Sequence, residues 1–183
     1  MHSTPIIDYK KVVAVKEFYE SHGFKEIAVP WIVRKEAYLS TKPDGAKEFS
    51  TPIGFLNASG EQSFIELMLA GTTLTRNLCI TSCFRLDVDD ELHQKYFVKV
   101  ELIDTNVHLE NLQEILSIAK SFYEKYLPVE IIKTDQGEHT YDIVDIKNKI
   151  ELGSYGIREF KNYTWIYGTG IALPRIDIAI TKQ

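Results

Sequence analysis

The sequence predicts an α+β domain built on an antiparallel β-sheet flanked by helices, and three observations carry that prediction. β-Rich runs outnumber the segments of helical period, and the two kinds do not alternate regularly as a parallel α/β chain requires. No internal repeat, low-complexity tract or Gly/Ser linker divides the chain. The 183 residues are 44% hydrophobic, with ten Tyr and nine Phe, enough for one core and short for two. A single domain over residues 1–183 is therefore expected.

The elements follow in order. Asp8 stands before Val12, Val13, Val15, Phe18 and Tyr19 on a helical stripe, and Gly23 follows where a left-handed cap is wanted, so the first helix lies between them. Lys25 to Val29 reads as a short strand stopped by Pro30, and Thr41-Lys42-Pro43-Asp44-Gly45 as a loop. Ser59 and Gln62 have capping-box spacing ahead of Phe64, Ile65, Leu67, Met68 and Leu69, which predicts a short helix. Asn77 to Phe84 and Tyr96 to Ile103 predict a long antiparallel hairpin with the acidic loop Asp87–Glu91. Leu109 to Tyr126 is the longest helical stripe, ending before Pro128. Val129 to Lys133, Tyr141 to Ile146, Ile150 to Ser154 and Tyr163 to Tyr167 read as strands, and a helix from Ile171 to Thr181 closes the chain.

Charge and cysteines bound the function. A net charge of -5 argues against a protein that coats nucleic acid, because phosphate binding needs surplus Lys and Arg. Cys79 and Cys83 lie on one strand face, about 13 Å apart at ~3.3 Å per residue, too far for a disulfide, so they are buried thiols. His2, His22, His108 and His139 show no metal spacing with them. The chain has no apolar signal core and no stretch of membrane-spanning length, so cytoplasm is the expected setting and a membrane is not a partner.

Two segments suggest chemistry. Arg85 ends an apolar strand, His93 lies beyond the loop and Phe97 is on the returning strand. A guanidinium fork suits a phosphate or carboxylate and a ring face suits a base, though the same residues also fit a solvated rim and a core. Gly168 and Gly170 are expected to flank a strand-to-helix junction where a backbone approaches a phosphate, with Arg175 in the first turns of the helix; glycines also simply end strands. Glu151-Leu152-Gly153-Ser154-Tyr155-Gly156-Ile157-Arg158 places an acid and a base seven residues apart, and an acid beside a phosphate site implies Mg²⁺.

In order, the segments ending at Pro30, Phe84-Arg85-Leu86-Asp87 with His93-Gln94-Lys95-Tyr96-Phe97, and Gly168 to Arg175 resemble the three signatures of class II aminoacyl-tRNA synthetases. Ser59-Gly60-Glu61 with Ala70-Gly71, and Glu151 with Arg158, resemble most the aspartyl- and asparaginyl-tRNA synthetases and the ammonia-dependent asparagine synthetase. The resemblance implies a class II catalytic-core fold and an ATP-dependent ligase that activates an Asp- or Asn-like amino acid as its adenylate. By that resemblance, Arg85 bridges the substrate carboxylate and the α-phosphate, Phe97 stacks on adenine, and His93 and Arg175 hold the outer phosphates. Glu151 carries Mg²⁺ with Asp142 as a second ligand. Ser59, Glu61, Lys99, Glu101 and Arg158 form the amino-acid site, Glu61 and Glu101 on the ammonium and Arg158 on the side chain.

The sequence also departs from those patterns. Asp87 replaces a glutamate, Ala172 a glycine and Pro174 an acid, and Phe64 stands where aspartyl enzymes carry a lysine. Either Lys99 supplies that charge, or the substrate is asparagine or another amino or keto-type acid. No segment is left for an anticodon-binding domain. The expected acceptor is thus ammonia, a small amine or a carrier, with tRNA possible but disfavoured by the acidic charge. By the same resemblance, the segment ending at Pro30 implies a homodimer. A regulatory relative that binds nucleotide or amino acid without catalysis, and a minimal tRNA-aminoacylating domain, are the alternatives.

Overall fold

Asp8 opens the fold by accepting from the backbone N–H groups of Lys10 and Lys11, at 3.0 and 3.2 Å, and so caps helix α1, Tyr9–Ser21. The structure is a computed structural model that describes residues 6–86 and 90–183. His2, and Asp87 with most of the expected acidic loop, lie outside the described residues. Gly23, at φ 86, turns the chain out of α1 into β1, Lys25–Glu26. The elements β2 (Ile32–Val33), α2 (Lys35–Leu39), β3 (Ser50–Thr51) and β4 (Gly54–Leu56) come next, followed by α3 (Gly60–Leu69). The hairpin is β5 (Arg76–Phe84) with β6 (Tyr96–Asp104), and α4 spans Leu109–Tyr123. Strands β7 (Val129–Lys133), β8 (Thr140–Asp145), β9 (Glu151–Phe160) and β10 (Tyr163–Leu173) lead to α5 (Arg175–Thr181).

The main sheet has seven strands in the order β1-β5-β6-β10-β9-β8-β7. It is mixed rather than purely antiparallel, because β1 pairs parallel to β5 through Lys25 with Asn77 and Glu26 with Leu78. A parallel pair needs a long crossover, and the stretch holding α2, α3 and a separate β2-β4-β3 sheet supplies it. That small sheet was not expected from the sequence.

Two cores hold the main sheet. On one face α1, α4 and α5 bury Val15, Tyr19, Leu116, Phe122 and Ile176 against Leu78, Val100, Leu102 and Leu173. On the other, α2 and α3 bury Ala37, Phe64, Ile65 and Met68 against Cys79, Ile103, Trp165 and Tyr167. Phe64 is fully buried there. Cys79 and Cys83 are both free and buried.

Two local expectations need correction. Strand β10 continues through Gly168 and Gly170 to Leu173, with a register shift at Gly170 in its pairing with β6, and α5 begins only at Arg175. A Cβ on Gly168 would sit 2.7 Å from Tyr155 Cδ1, and one on Gly170 would sit 2.9 Å from Tyr19 Cε2. These glycines admit aromatic rings of the helix-covered face. The capping box is also absent. Ser59 makes no side-chain cap bond, whereas Gln62 Oε1 accepts from the Ala58 N–H at 2.7 Å and Gln62 Nε2 donates to the Tyr38 carbonyl at 2.9 Å. Gln62 is thereby a buried clamp between α2 and α3 rather than half of a reciprocal cap.

Among the described residues, no helix is long and apolar enough to cross a membrane.

Candidate active site

The sheet face left open beside α3 forms a cavity of about 260 Å³. Ser59, Glu61, Arg85, His93, Phe97, Lys99, Glu101, Asp142, Glu151, Arg158 and Arg175 all line it. The strand register explains why residues so far apart in sequence meet. Phe97, Lys99 and Glu101 alternate along β6 and so share a face. Glu101 stands beside Cys79 of β5 and Thr169 of β10, and Lys99 beside Thr81 and Ala172. On β8 and β9, Asp142 pairs with Ser154, and Arg158 stands opposite Trp165 of β10. Adjacent strands lie ~4.8 Å apart, so the floor is a grid of side chains with fixed spacing.

At one end Arg85 lies with its Cζ 5.1 Å from the Phe97 ring centroid, while its Nε donates to the Ala58 carbonyl at 3.0 Å. The guanidinium is thus held beside an aromatic ring by its Nε. Arg175 Nη1 lies 3.3 Å from Glu151 Oε1, at the rim where β10 passes into α5. His93 Nδ1 is 2.9 Å from Asp90 Oδ1, and this hydrogen bond holds the Asp90 carboxyl below the usual carboxylate range.

The other end is lined by ion pairs. Glu61 is 4% exposed; its Oε1 accepts from Trp165 Nε1 at 2.8 Å and its Oε2 from Arg158 Nη1. Burial pushes the Glu61 carboxyl up, against the Arg158 charge and the Trp165 N–H that favour its ionised form. Arg158 also stacks on Tyr167, with Cζ 4.0 Å from the ring centroid. Lys99 Nζ lies 2.8 Å from Glu101 Oε1, while Glu101 Oε2 is buried without a partner. Asp142, half buried, has its carboxyl raised first by burial and then by the Glu151 charge.

Sequence reasoning missed several wall residues. The Thr41–Gly45 turn signal predicts only a loop, yet Thr41, Lys42 and Pro43 close one side of the cavity. Ser154, Tyr167 and Thr169 complete the floor; their period-two placement beside Arg158 and Glu101 was the available signal. Phe64 does not line the cavity, so its departure from a lysine changes a core position here.

Residues 59–178 match the family of tRNA synthetases class II core domain (F). Among solved structures, pyrrolysyl-tRNA synthetase from Desulfitobacterium hafniense superposes with a TM-score of 0.74 at 17% identity, over 96% of this chain and 70% of that one. Seryl-tRNA synthetase from Pyrococcus horikoshii, complexed with ATP, gives 0.77 at 17% identity over 94% and 49%. Cytoplasmic serine-tRNA ligase from Naegleria fowleri, in complex with AMP, gives 0.69 at 15% over 89% and 45%. The chain spans about half the length of these two seryl enzymes. At such identities the structural likeness is one of fold. No curated protein matches the chain in sequence.

Proposed function

The chain belongs to the class II tRNA synthetase core family, and from that premise we propose that it activates an amino acid of the aspartate or asparagine kind with ATP. The observation that carries this reading is the polarity of the cavity: Arg85 over Phe97 and Arg175 beside Glu151 at one end, paired acids and bases at the other. An ionised substrate carboxylate needs no side-chain base. Its oxygen attacks the α-phosphorus, the bond from that phosphorus to the bridging oxygen breaks, and pyrophosphate leaves with the electron pair, giving the acyl-adenylate.

In this reading Phe97 offers the ring on which adenine stacks, and Arg85 lies between the attacking carboxylate and the α-phosphate. Fixed positive charge there stabilises what develops on the phosphoryl oxygens. Arg175 and His93 take the outer phosphates. Asp142 and Glu151 fit Mg²⁺ in donor type, being carboxylate oxygens on neighbouring strands, and such ions commonly take a few protein carboxylates and fill the rest with phosphate and water. When bound, the ion supplies neutralising charge to the phosphates. Ser59, Glu61, Lys99, Glu101 and Arg158 form the amino-acid end.

The acyl group then passes to ammonia, a small amine or a carrier; the net charge of -5 supports this over tRNA. The setting is cytoplasmic and the protein a homodimer through the segment before Pro30, which light scattering tests directly; a monomer ends that part of the proposal. For the catalytic part, Arg85→Ala and Arg175→Ala should each reduce amino-acid-dependent pyrophosphate–ATP exchange at least ~100-fold with little change in melting temperature. Full exchange in either variant would overturn the phosphate assignments.

A further inference from the structure

Resting on the adenylation reading, we infer that Gly60 is a positioning residue of the amino-acid end. Its bare backbone seats the first turn of α3 on the β5–β6 pair and thereby sets where Glu101 and Glu61 stand in the cavity. Gly60 is buried, while its neighbours Ser59 and Glu61 line the cavity. A Cβ at this position would lie 2.8 Å from Cys79 Sγ, 2.8 Å from Glu101 Cβ and 3.1 Å from Thr81 Cγ2. Cys79 and Glu101 face each other across β5 and β6, so the start of α3 rests on one rung of the sheet. The Gly60 N–H also bonds to the Cys83 sulfur, which ties that turn to the same strand.

The contact with Glu101 is the one that reaches the substrate. Turning the Glu101 side chain leaves its Cβ where it is, so rotation cannot relieve the crowding. Cys79 is fully buried and close-packed, with no space to retreat into. An added methyl therefore drives α3 and the rung beneath it apart by about 1 Å, the gap between 2.8 Å and an ordinary carbon contact of about 3.5–4.0 Å.

Both sides of that displacement carry amino-acid contacts. Glu101 Oε1 holds Lys99 Nζ at 2.8 Å, and Oε2 has no partner. Of the buried side-chain atoms without a hydrogen bond among the described residues, only Glu101 Oε2 belongs to a residue lining the cavity. As an open acceptor it takes the α-ammonium of the substrate. Glu61, the next residue of α3, is fixed by Trp165 Nε1 at 2.8 Å and by Arg158. The groups that take ATP stand elsewhere: Phe97 lies four residues back along β6, roughly 13 Å at about 3.3 Å per residue, and Glu151 and Arg175 open β9 and α5. The displacement thus falls on the amino acid and spares the nucleotide.

The test measures calorimetric affinity for aspartate, asparagine and a non-hydrolysable ATP analogue, with a melt of each protein. A misplacement of about 1 Å costs up to about 100-fold, so Gly60→Ala should weaken the better-bound amino acid about tenfold or more and leave the ATP analogue within about threefold. Cys79→Ala alone should bind as the wild type does. The double variant Cys79→Ala/Gly60→Ala frees the space of Sγ but keeps the 2.8 Å contact with Glu101 Cβ. It should lower the melting temperature by less than the sum of the single changes while the amino-acid defect persists, and it carries the comparison if Gly60→Ala alone does not fold. Three results would each overturn the inference and leave adenylation standing: wild-type amino-acid affinity in Gly60→Ala, equal loss for both ligands, or a defect that vanishes in the double variant. If neither glycine variant folds, Gly60 is a packing requirement only, and the inference is likewise overturned. Amino-acid binding by the wild type without pyrophosphate–ATP exchange overturns adenylation, while the affinities still decide the role of Gly60. No binding of either amino acid overturns both.

Discussion

Gly168→Ala separates two explanations of the glycine-rich segment. The added Cβ would lie 2.7 Å from Tyr155 Cδ1, 3.0 Å from Tyr155 Cε1 and 3.6 Å from Leu102 Cδ1. Tyr155 is fully buried and its hydroxyl donates to the Thr169 carbonyl, so the ring cannot step aside without breaking that bond. Overpacking of this kind costs about 1–3 kcal/mol, and the reduced freedom of the unfolded chain on replacing glycine returns about 0.4–1 kcal/mol. From the middle of each range the net is about 1–2 kcal/mol. A chain of this size loses roughly 2–4 °C of melting temperature per kcal/mol, so Gly168→Ala should melt about 2–8 °C below the wild type. The affinity for ATP, measured by calorimetry at a temperature where both proteins are folded, should stay within about twofold. An unchanged melting temperature with lost ATP binding would refute the packing account and return Gly168 to the phosphate.

Further variants test other parts of the structure. Ser59→Ala should change stability by less than about 0.5 kcal/mol, since its side chain makes no cap bond, whereas Gln62→Ala should cost about 2 kcal/mol through two broken bonds of a buried amide; denaturant unfolding measures both. Asp145 is fully buried and accepts from the N–H groups of Lys147, Asn148 and Ile150 at 3.0, 2.9 and 2.9 Å. Burial pushes its carboxyl up, but these bonds together bring it below the usual range, so its stabilisation is full above the unfolded pKa and is lost as pH falls through the folded one. Asp145→Ala should cost about 2–4 kcal/mol at pH 7 and flatten the acid limb of the stability–pH curve, which a pH series of unfolding midpoints would show. Burial pushes the Cys83 thiol up to about 12, and the Cys79 thiol is also raised, so neither should react with an aromatic disulfide reagent at pH 8 until the protein unfolds.

Local chemistry was legible in the sequence where it acts locally. Asp8 and Gly23 bracket α1 because a cap needs only neighbouring atoms, and the β5–β6 hairpin follows from two continuous β-rich runs. What depends on distant partners was not legible. The short strand at Lys25 was readable, but its parallel pairing with Asn77 and Leu78, some fifty positions on, was not, and strands as short as β2, β3 and β4 have no period to read. Gly168 and Gly170 were ambiguous because a glycine states only that something comes close; the rings of Tyr155 and Tyr19 decide what. At the site, the residue types were readable from spaced motifs, but their pairing was not. Glu61 and Arg158 are 97 positions apart, and each had been given a substrate contact of its own rather than the other as partner.

The central claim is that this cavity forms an acyl-adenylate, and pyrophosphate–ATP exchange measures that step without knowledge of the acceptor. Purified protein with Mg-ATP and labelled pyrophosphate should incorporate label into ATP when an amino acid of the aspartate or asparagine kind is supplied, and not when the amino acid is omitted. Absence of amino-acid-dependent exchange across the full set of amino acids, from protein shown to be folded, would contradict the account.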